Sequence, residues 1–391
     1  MNQKLLLIGG GHSHAIALRA WGLNPLPNVD VTLVSDVEQT PYSGMLPGHV
    51  AGFYSYEETH INLRELAKFA GAKLICDHAI GLDTNSHKIF CERHQLEYDC
   101  LSFDIGSTPQ AINVPGARKY AIPAKPVPTF LNAWYELKQQ LASNPQQPLS
   151  IAIVGGGAGG VELALNMQTC LRAISQDRNI PEIHLVHRGK QLLSGHNDWV
   201  SNKLTKILRR RGVKLYLQQE VTQVLADRII CQSLLPRLPQ PNLEIKSDKI
   251  FWVTQAAAPK WIKQSQLKTD KQGFILVRNT LQSISHDNIF AAGDIATMID
   301  YQRPKAGVFA VRQGQPLFNN WQNVLTGQAL QEYIPQDKYL ALIGTGDKKA
   351  IASWSSFGWR SSFLWWLKDY IDRKFMNQFK KAQLNQSFSK K

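Results

Sequence analysis

The apolar positions of this chain fall in short unbroken runs. Lys4–Leu18 reads KLLLIGGGHSHAIAL: an apolar run, a glycine cluster, then helix formers. Ser150–Leu165, SIAIVGGGAGGVELAL, repeats the plan. A continuous apolar run marks a strand buried on both faces, the habit of parallel sheets. Each segment is followed by a second apolar strand ending in polar residues, Val29–Val34 and Ile183–Val186. The pattern predicts two βαβ units of the doubly wound α/β class, each the opening of a nucleotide-binding domain.

Between the units, Ser107–Pro128 is rich in proline and predicts a crossing between domains. Thr129–Ala142 predicts a helix leading into the second unit. Another helix is expected from near Trp199 to Arg209-Arg210-Arg211-Gly212, its arginines favoured by the helix macrodipole. The Pro-rich stretch Cys231–Ser247 reads as a loop or hairpin tip.

Composition narrows the class. The 391 residues suffice for two domains and a small third piece. Apolar residues are 43% and charged residues 19%, which excludes a disordered chain. The cysteines, Cys76, Cys91, Cys100, Cys170 and Cys231, form no CxxC pair and no zinc-ligand spacing. A reducing compartment is expected. MNQKLLLIGG reads as a buried strand and not a signal peptide. No apolar run is long enough for a transmembrane helix. The net charge of +14 suits a nucleic-acid surface, an anionic membrane or anionic ligands, and only its location can decide.

The glycine clusters carry the first chemistry. Gly9 can make a tight turn and Gly11 lets a diphosphate approach the backbone, with the helix N-terminus favouring its charge. The sixth position, where a small residue packs helix on strand, holds His14. Ser35 and Asp36 end the second strand, where an acid would bind a ribose hydroxyl; Asp36 can equally be a turn residue. His12 and His14 lack further ligands nearby, so a metal site is not expected; they read as donors near the diphosphate, His12 above all, or as helix packing. Gly155, Gly157 and Gly160 satisfy G-x-G-x-x-G between strand and helix. After the second strand come His187 and Arg188. An acid there selects NADH, whereas an arginine accepts the 2′-phosphate of NADPH. This leans towards NADPH, unless Arg188 points to solvent.

Asn288–Ala296 (NIFAAGDIA) runs an apolar strand into Gly293-Asp294. Its order after two dinucleotide motifs resembles the FAD- and NAD(P)H-dependent pyridine nucleotide oxidoreductases. The resemblance covers nearly the whole chain. It implies two Rossmann-like domains: residues 1–118 with 262–328 binding FAD, and 119–261 binding NADH or NADPH. Residues 329–391 form a C-terminal region. It further implies that Asp294 holds the FAD ribityl chain and diphosphate, and that Glu162 lies near nicotinamide and flavin. The alternative for Glu162 is an acid placed by the helix dipole. Tyr98–Pro109 is similar to the family's ATGS-x-P strand. Gly106, Ser107 and Pro109 match, but Asp104 and Ile105 replace Ala-Thr. Phe251–Pro259 resembles its partner strand without the usual glycine.

The redox Cys-x4-Cys pair of the disulfide reductases is missing, as is the late cysteine of the sulfide:quinone reductases. The chain most resembles the type II NADH dehydrogenases. Its TPYSGMLPG, KAGVFAVRQG and LIGTGDKKA segments look like the flavoprotein half of fused selenide, water dikinase proteins. The resemblance implies hydride transfer from NAD(P)H to FAD and electron delivery to a quinone. Lys305 and the stretch from Ala306 to Gln313 are then expected to line the flavin. Two rivals stay open: a soluble reductase of an electron-transfer protein, and a flavin-binding sensor linked to selenium metabolism. The sensor draws on the altered Asp104-Ile105 and Gln255-Ala256 positions.

The last segment is aromatic and basic. Phe363, Trp366, Leu367, Tyr370, Ile371, Phe375 and Phe379 fall on one helical stripe. From Ala352 onward the bases are Arg360, Lys368, Arg373, Lys374, Lys380, Lys381, Lys390 and Lys391, against Asp369 and Asp372. A basic helix with an aromatic face suits an anionic membrane surface. The expected location is cytoplasmic, peripheral on the inner face of a membrane. The stripe could instead pack on the enzyme body or on a second subunit in a homodimer. Nucleic acid is not expected as a partner.

Overall fold

The computed structural model describes residues 2–109, 114–176, 179–235, 241–254, 256–380 and 384. The chain opens with β1 (Gln3–Ile8), α1 (His12–Leu23) and β2 (Val29–Ser35), followed by β3 (Lys73–Cys76) and β4 (Cys100–Phe103). A second unit comprises β5 (Ile122–Pro123), α2 (Val127–Ser143), β6 (Ser150–Val154), α3 (Ala158–Ile174), β7 (Glu182–His187), α4 (Asp198–Arg210), β8 (Lys214–Leu217) and β9 (Lys249–Trp252). The chain then supplies β10 (Ile289–Ala291) and α5 (Gly307–Leu325). It closes with β11 (Ala341–Gly344), β12 (Ala350–Trp354), β13 (Phe357–Ser361) and α6 (Ser362–Asn377).

Two five-stranded parallel sheets form, ordered β10-β4-β1-β2-β3 and β5-β9-β6-β7-β8. Their central strands are the unbroken apolar runs, and Leu5–Ile8 are at most 2% exposed. In the first sheet Ile8 pairs with Val34 and Phe103, and Phe103 pairs with Ala291. Four strands therefore end in one row. The next residues, Gly9, Ser35, Asp104 and Ala292, share the carboxyl edge where ligands of such sheets bind. In the second sheet Val154 pairs with Val186 and Trp252, so Gly155, His187 and Val253 occupy the equivalent edge.

Helix α1 crosses α5 at close range. A Cβ on Gly314 would lie 2.5 Å from Ile16 Cβ, and Ser13 Oγ donates to the Ala310 carbonyl at 2.7 Å. This contact brings the segment after Gly293 against the first glycine turn.

Several expectations are refined. Within Cys231–Ser247 the chain contributes to two paired antiparallel strands, Arg228–Ser233 and Leu243–Lys246, and residues 236–240 lie outside the described set. Gln255 also lies outside it. Arg211 is not simply solvated, because its guanidinium reaches Asp347 at 3.3 Å.

The aromatic stripe divides. Phe363, Trp366, Tyr370 and Ile371 are exposed, but Phe375 stacks on Tyr42 and Phe379 is buried in the first core. Helix α6 thus turns its C-terminal half onto the body of the protein. Lys368 and Asp372, two of the charges counted in this segment, are turned inward and pair with each other. Lys381, Lys390 and Lys391 lie outside the described residues. Among the described residues no helix is long and apolar enough to cross a membrane.

Candidate functional site

A cleft of about 510 Å³ follows the carboxyl edge of the first sheet. Gly9, Gly11, His12, Ser35, Asp36, Gly106, Asp294 and Lys305 all line it. Gly9 has φ +92°, and a Cβ there would sit 2.3 Å from the Asp104 carbonyl oxygen, so only glycine fits. Asp36 is exposed at the lip, while Ser35 is buried and its Oγ accepts from Val37 N–H at 3.3 Å.

Of the two histidines, His14 is a packing group, while His12 lines the cleft. His14 Nδ1–H donates to the Gly9 carbonyl at 2.7 Å, and Nε2 meets Ser102 Oγ at 2.8 Å. Burial drives its pKa down to about 4, so the ring is neutral. Its edge packs on Trp321, which explains why a large side chain replaces the small one expected at this position. His12 Nε2 lies 3.3 Å from the Pro41 carbonyl, and burial lowers its pKa as well. Among the described residues, no group of three His, Cys, Asp or Glu side chains could hold a metal ion.

At the other end of the cleft Asp294 is held by two groups that sequence reading missed. Lys125 Nζ donates to its Oδ2 at 2.7 Å, and Ser107 Oγ donates to the same oxygen at 3.0 Å. Burial pushes the carboxyl up, but the Lys125 charge and hydrogen bond outweigh it and hold Asp294 below its usual range. Lys305 donates to the Ala296 carbonyl and, at 2.9 Å, to Thr297 Oγ1. Burial pushes its ammonium down to about 8. Ala306 caps α5 and faces a smaller neighbouring cavity instead of the main cleft. Asp104, seen in the sequence only as a departure from the resembling strand, is buried beneath the turn.

These features suit a flavin dinucleotide. Main-chain N–H groups and side-chain-free glycines stand where a diphosphate would pass. Asp36 stands at one end of the cleft and Asp294 at the other, and Lys125 and Lys305 line it.

The second glycine turn is built alike. Gly155 has φ +128°, and a Cβ on Gly160 would lie 1.9 Å from the Gly155 carbonyl oxygen, so strand and helix touch. A Cβ on Gly157 would meet nothing within 4 Å, which marks the open face of the turn. His187 does not point at a ribose. Its Nδ1 accepts from Gly156 N–H at 3.2 Å, and burial lowers its pKa. Arg188 is exposed beside it.

Glu162 lies one turn into α3. Its Oε1 accepts from Gly344 N–H at 2.7 Å, and burial pushes its pKa up to about 7 despite the nearby Lys368 charge. Lys368 donates to the Gly44 carbonyl and to Asp372 Oδ2, each at 2.6 Å. Tyr42 O–H donates to Asp372 Oδ1 at 3.1 Å. Burial lowers the Lys368 ammonium, but Asp372 and Glu162 outweigh it and raise it overall. A buried network thus joins the second glycine helix, α6 and the Tyr42–Gly44 loop. Ser43 of that loop lines the first cleft. The five cysteines are free, and none lines this cleft.

Comparison with known proteins agrees with this arrangement. The chain is 24% identical over 353 residues to the NADH dehydrogenase-like protein YutJ of Bacillus subtilis, covering 89% of this chain and 91% of that one. It is 20% identical over 348 residues to the type II NADH:quinone oxidoreductase of Staphylococcus haemolyticus, covering 85% of each. NDH2 from Plasmodium falciparum, solved in complex with NADH, superposes with a TM-score of 0.83 over 97% of each chain at 17% identity. Residues 3–314 match the profile of the pyridine nucleotide-disulphide oxidoreductases, and the chain belongs to that family.

Proposed function

We propose that this chain is an FAD-dependent NAD(P)H oxidoreductase whose electron acceptor is a quinone. The observation that carries the reading is the pairing of two glycine turns, on two parallel sheets, with a cleft that ends at Asp294. The names of the relatives support the acceptor class. FAD, when bound, supplies a two-electron relay between nicotinamide and acceptor.

The residues divide the work. Gly9, Gly11 and the α1 N-terminus would take the diphosphate, Asp36 the adenosine ribose, and Asp294 with Ser107 and Lys125 the ribityl end. Gly155, Gly157 and Gly160 would hold the diphosphate of NAD(P)H, with Arg188 placed for a 2′-phosphate. Hydride transfer needs orientation above all, which these rigid turns provide. Glu162 Oε1 sits between the units with a pKa of about 7, so it can hold or release a proton near neutrality.

The exposed aromatic face supports docking on an anionic membrane. Trp354, Phe357 and Trp359 of the β12–β13 hairpin are exposed, as are Phe363, Trp366 and Tyr370 of α6. Lys374 and Lys380 are exposed farther along the same segment. Aromatic side chains flanked by bases suit the headgroup layer. This reading assigns the protein a peripheral place on a membrane.

The test is anaerobic. NADH or NADPH should bleach the flavin band of the purified protein, and a short-chain quinone should restore it. Bleaching without recovery would exclude the quinone; no bleaching despite bound FAD would exclude the oxidoreductase.

A further inference from the structure

Helix α1 starts from an unusual neighbour. Its first internal hydrogen bond runs from Ala15 N–H to the Gly11 carbonyl, so the N–H groups before Ala15 need other partners. Asp104 takes most of them. Its carbonyl accepts from Gly11 N–H at 3.1 Å, and its Oδ2 accepts from His14 N–H at 3.1 Å. The Ser13 N–H faces the same carboxyl. Only His12 N–H of this first turn is not taken by Asp104. The carboxyl also fills the space behind the cleft wall. A Cβ on Gly11 would fall 2.3 Å from Asp104 Oδ1, and one on Gly293 would fall 2.4 Å from it.

A helix N-terminus favours one anion. Here a buried side chain, only 3% exposed, claims that end from inside, while the FAD reading above places a diphosphate against it from outside. Among the described residues that line the cleft, Lys125 and Lys305 are the only ammonium groups, and the single charge of Lys305 cannot offset both anions. His14, the ionisable group nearest on α1, is neutral, and His12 is depressed by burial. Asp294, across the cleft, is another anion, and Lys125 is committed to it. A charged Asp104 and a bound diphosphate are therefore in direct conflict.

We propose that Asp104 is a positioning residue for the FAD diphosphate and must be protonated while the cofactor is bound, so that FAD capture takes up one proton from solvent. This inference rests on the cleft being the FAD site. The uncharged acid leaves the helix dipole to the ligand, and the charged form opposes it. Burial pushes the Asp104 carboxyl up to about 7, so both forms exist near neutrality. The incoming diphosphate raises it further. Lys305, at about 8, loses charge over a neighbouring range and adds its own weakening at high pH. The variant isolates the Asp104 part.

The experiment titrates apo-protein with FAD from pH 6.5 to 9, reading flavin fluorescence. In the wild type Kd should rise roughly tenfold per unit between the free and bound pKa of Asp104. In Asp104→Asn that component should vanish, leaving only the shallower Lys305 part, and FAD should bind more tightly than to wild type at pH 9. Asp104→Thr, with the residue usual in a neighbouring position of this strand, gives the same test if the asparagine variant fails to fold. Calorimetry in two buffers of different ionisation enthalpy should show the wild type taking up most of a proton more than the variant at pH 8. Equal slopes and equal proton uptake overturn the inference while leaving the FAD reading intact. Failure of the wild type to bind FAD at any pH overturns both.

Discussion

Lys125 and Asp294 lie 169 residues apart in the chain, yet their side chains meet at 2.7 Å across the mouth of the first cleft. Lys125 stands in the Pro-rich crossing to the second unit, and Asp294 follows the strand that completes the first sheet. The pair ties the crossing segment to the cofactor cleft. Charge-assisted hydrogen bonds contribute roughly 1.5–3 kcal/mol, and with Lys125 42% exposed solvent screening trims this to about 1 kcal/mol. Lys125→Met should therefore lower stability by about 1 kcal/mol and, by leaving the Asp294 carboxylate unpaired at the cleft, weaken FAD binding roughly fivefold. An unchanged Kd in a titration of apo-protein would show that the pair is incidental.

Glu162 should impose a pH dependence on turnover. Its carboxyl, at about 7, is protonated below neutrality and charged above it. The pH profile of kcat/KM for NAD(P)H should bend near pH 7. In Glu162→Gln that bend should disappear and the rate should fall roughly a hundredfold. Retention of both rate and bend would remove Glu162 from the reaction.

The two buried carboxyls should also shape stability. Asp104 and Glu162 are raised to about 7 from ordinary values of 3.8 and 4.5. Between those limits the folded chain keeps protons that the unfolded chain has released, so their contribution falls as pH rises through the window. Above about pH 7 the slope ends. The depressed histidines act in the opposite sense, so the comparison must be with variants. Asp104→Asn and Glu162→Gln should each gain in urea midpoint relative to wild type from pH 4.5 to 7. A constant difference across that range would contradict the assignment.

The exposed aromatic face should matter for docking and not for folding. Phe363, Trp366 and Tyr370 stack on one another along α6, with centroids 5.9 and 5.8 Å apart, and each is more than half exposed. Replacing Phe363 and Trp366 by serine should abolish flotation with anionic vesicles while changing Tm by only about 2 °C or less. Unaltered flotation would place the contact elsewhere. A large fall in Tm would mean that the face is packed in solution, as in a homodimer.

The legible parts of the molecule were those whose chemistry is local. A glycine turn needs its residues at fixed spacing, so Gly9, Gly11, Gly155, Gly157 and Gly160 could be read directly. The parallel strands were equally plain, because burial on both faces leaves no polar positions. Pairings across the chain were not. Nothing local to Lys368 predicts a hydrogen bond to Gly44, or to Tyr42 that it will meet Asp372. Asp104 was visible as a departure from a resembling strand, but its grip on α1 depends on the register of β4 against β1. The aromatic stripe misled for a related reason. Phe375 and Phe379 carry the same helical signature as Phe363 and Trp366, and periodicity cannot say whether an apolar face meets protein or solvent.

The first sheet is completed by β10, whose Ala291 closes the row begun by Ile8. Gly293, Asp294 and Lys305 follow only then. During synthesis both glycine turns therefore leave the ribosome long before the wall opposite the first one exists. A nascent chain ending ahead of residue 289 would already carry the complete parallel core of the second unit, but only an unclosed half of the first cleft. The first cleft is closed only late in synthesis, although its opening residues are among the first made.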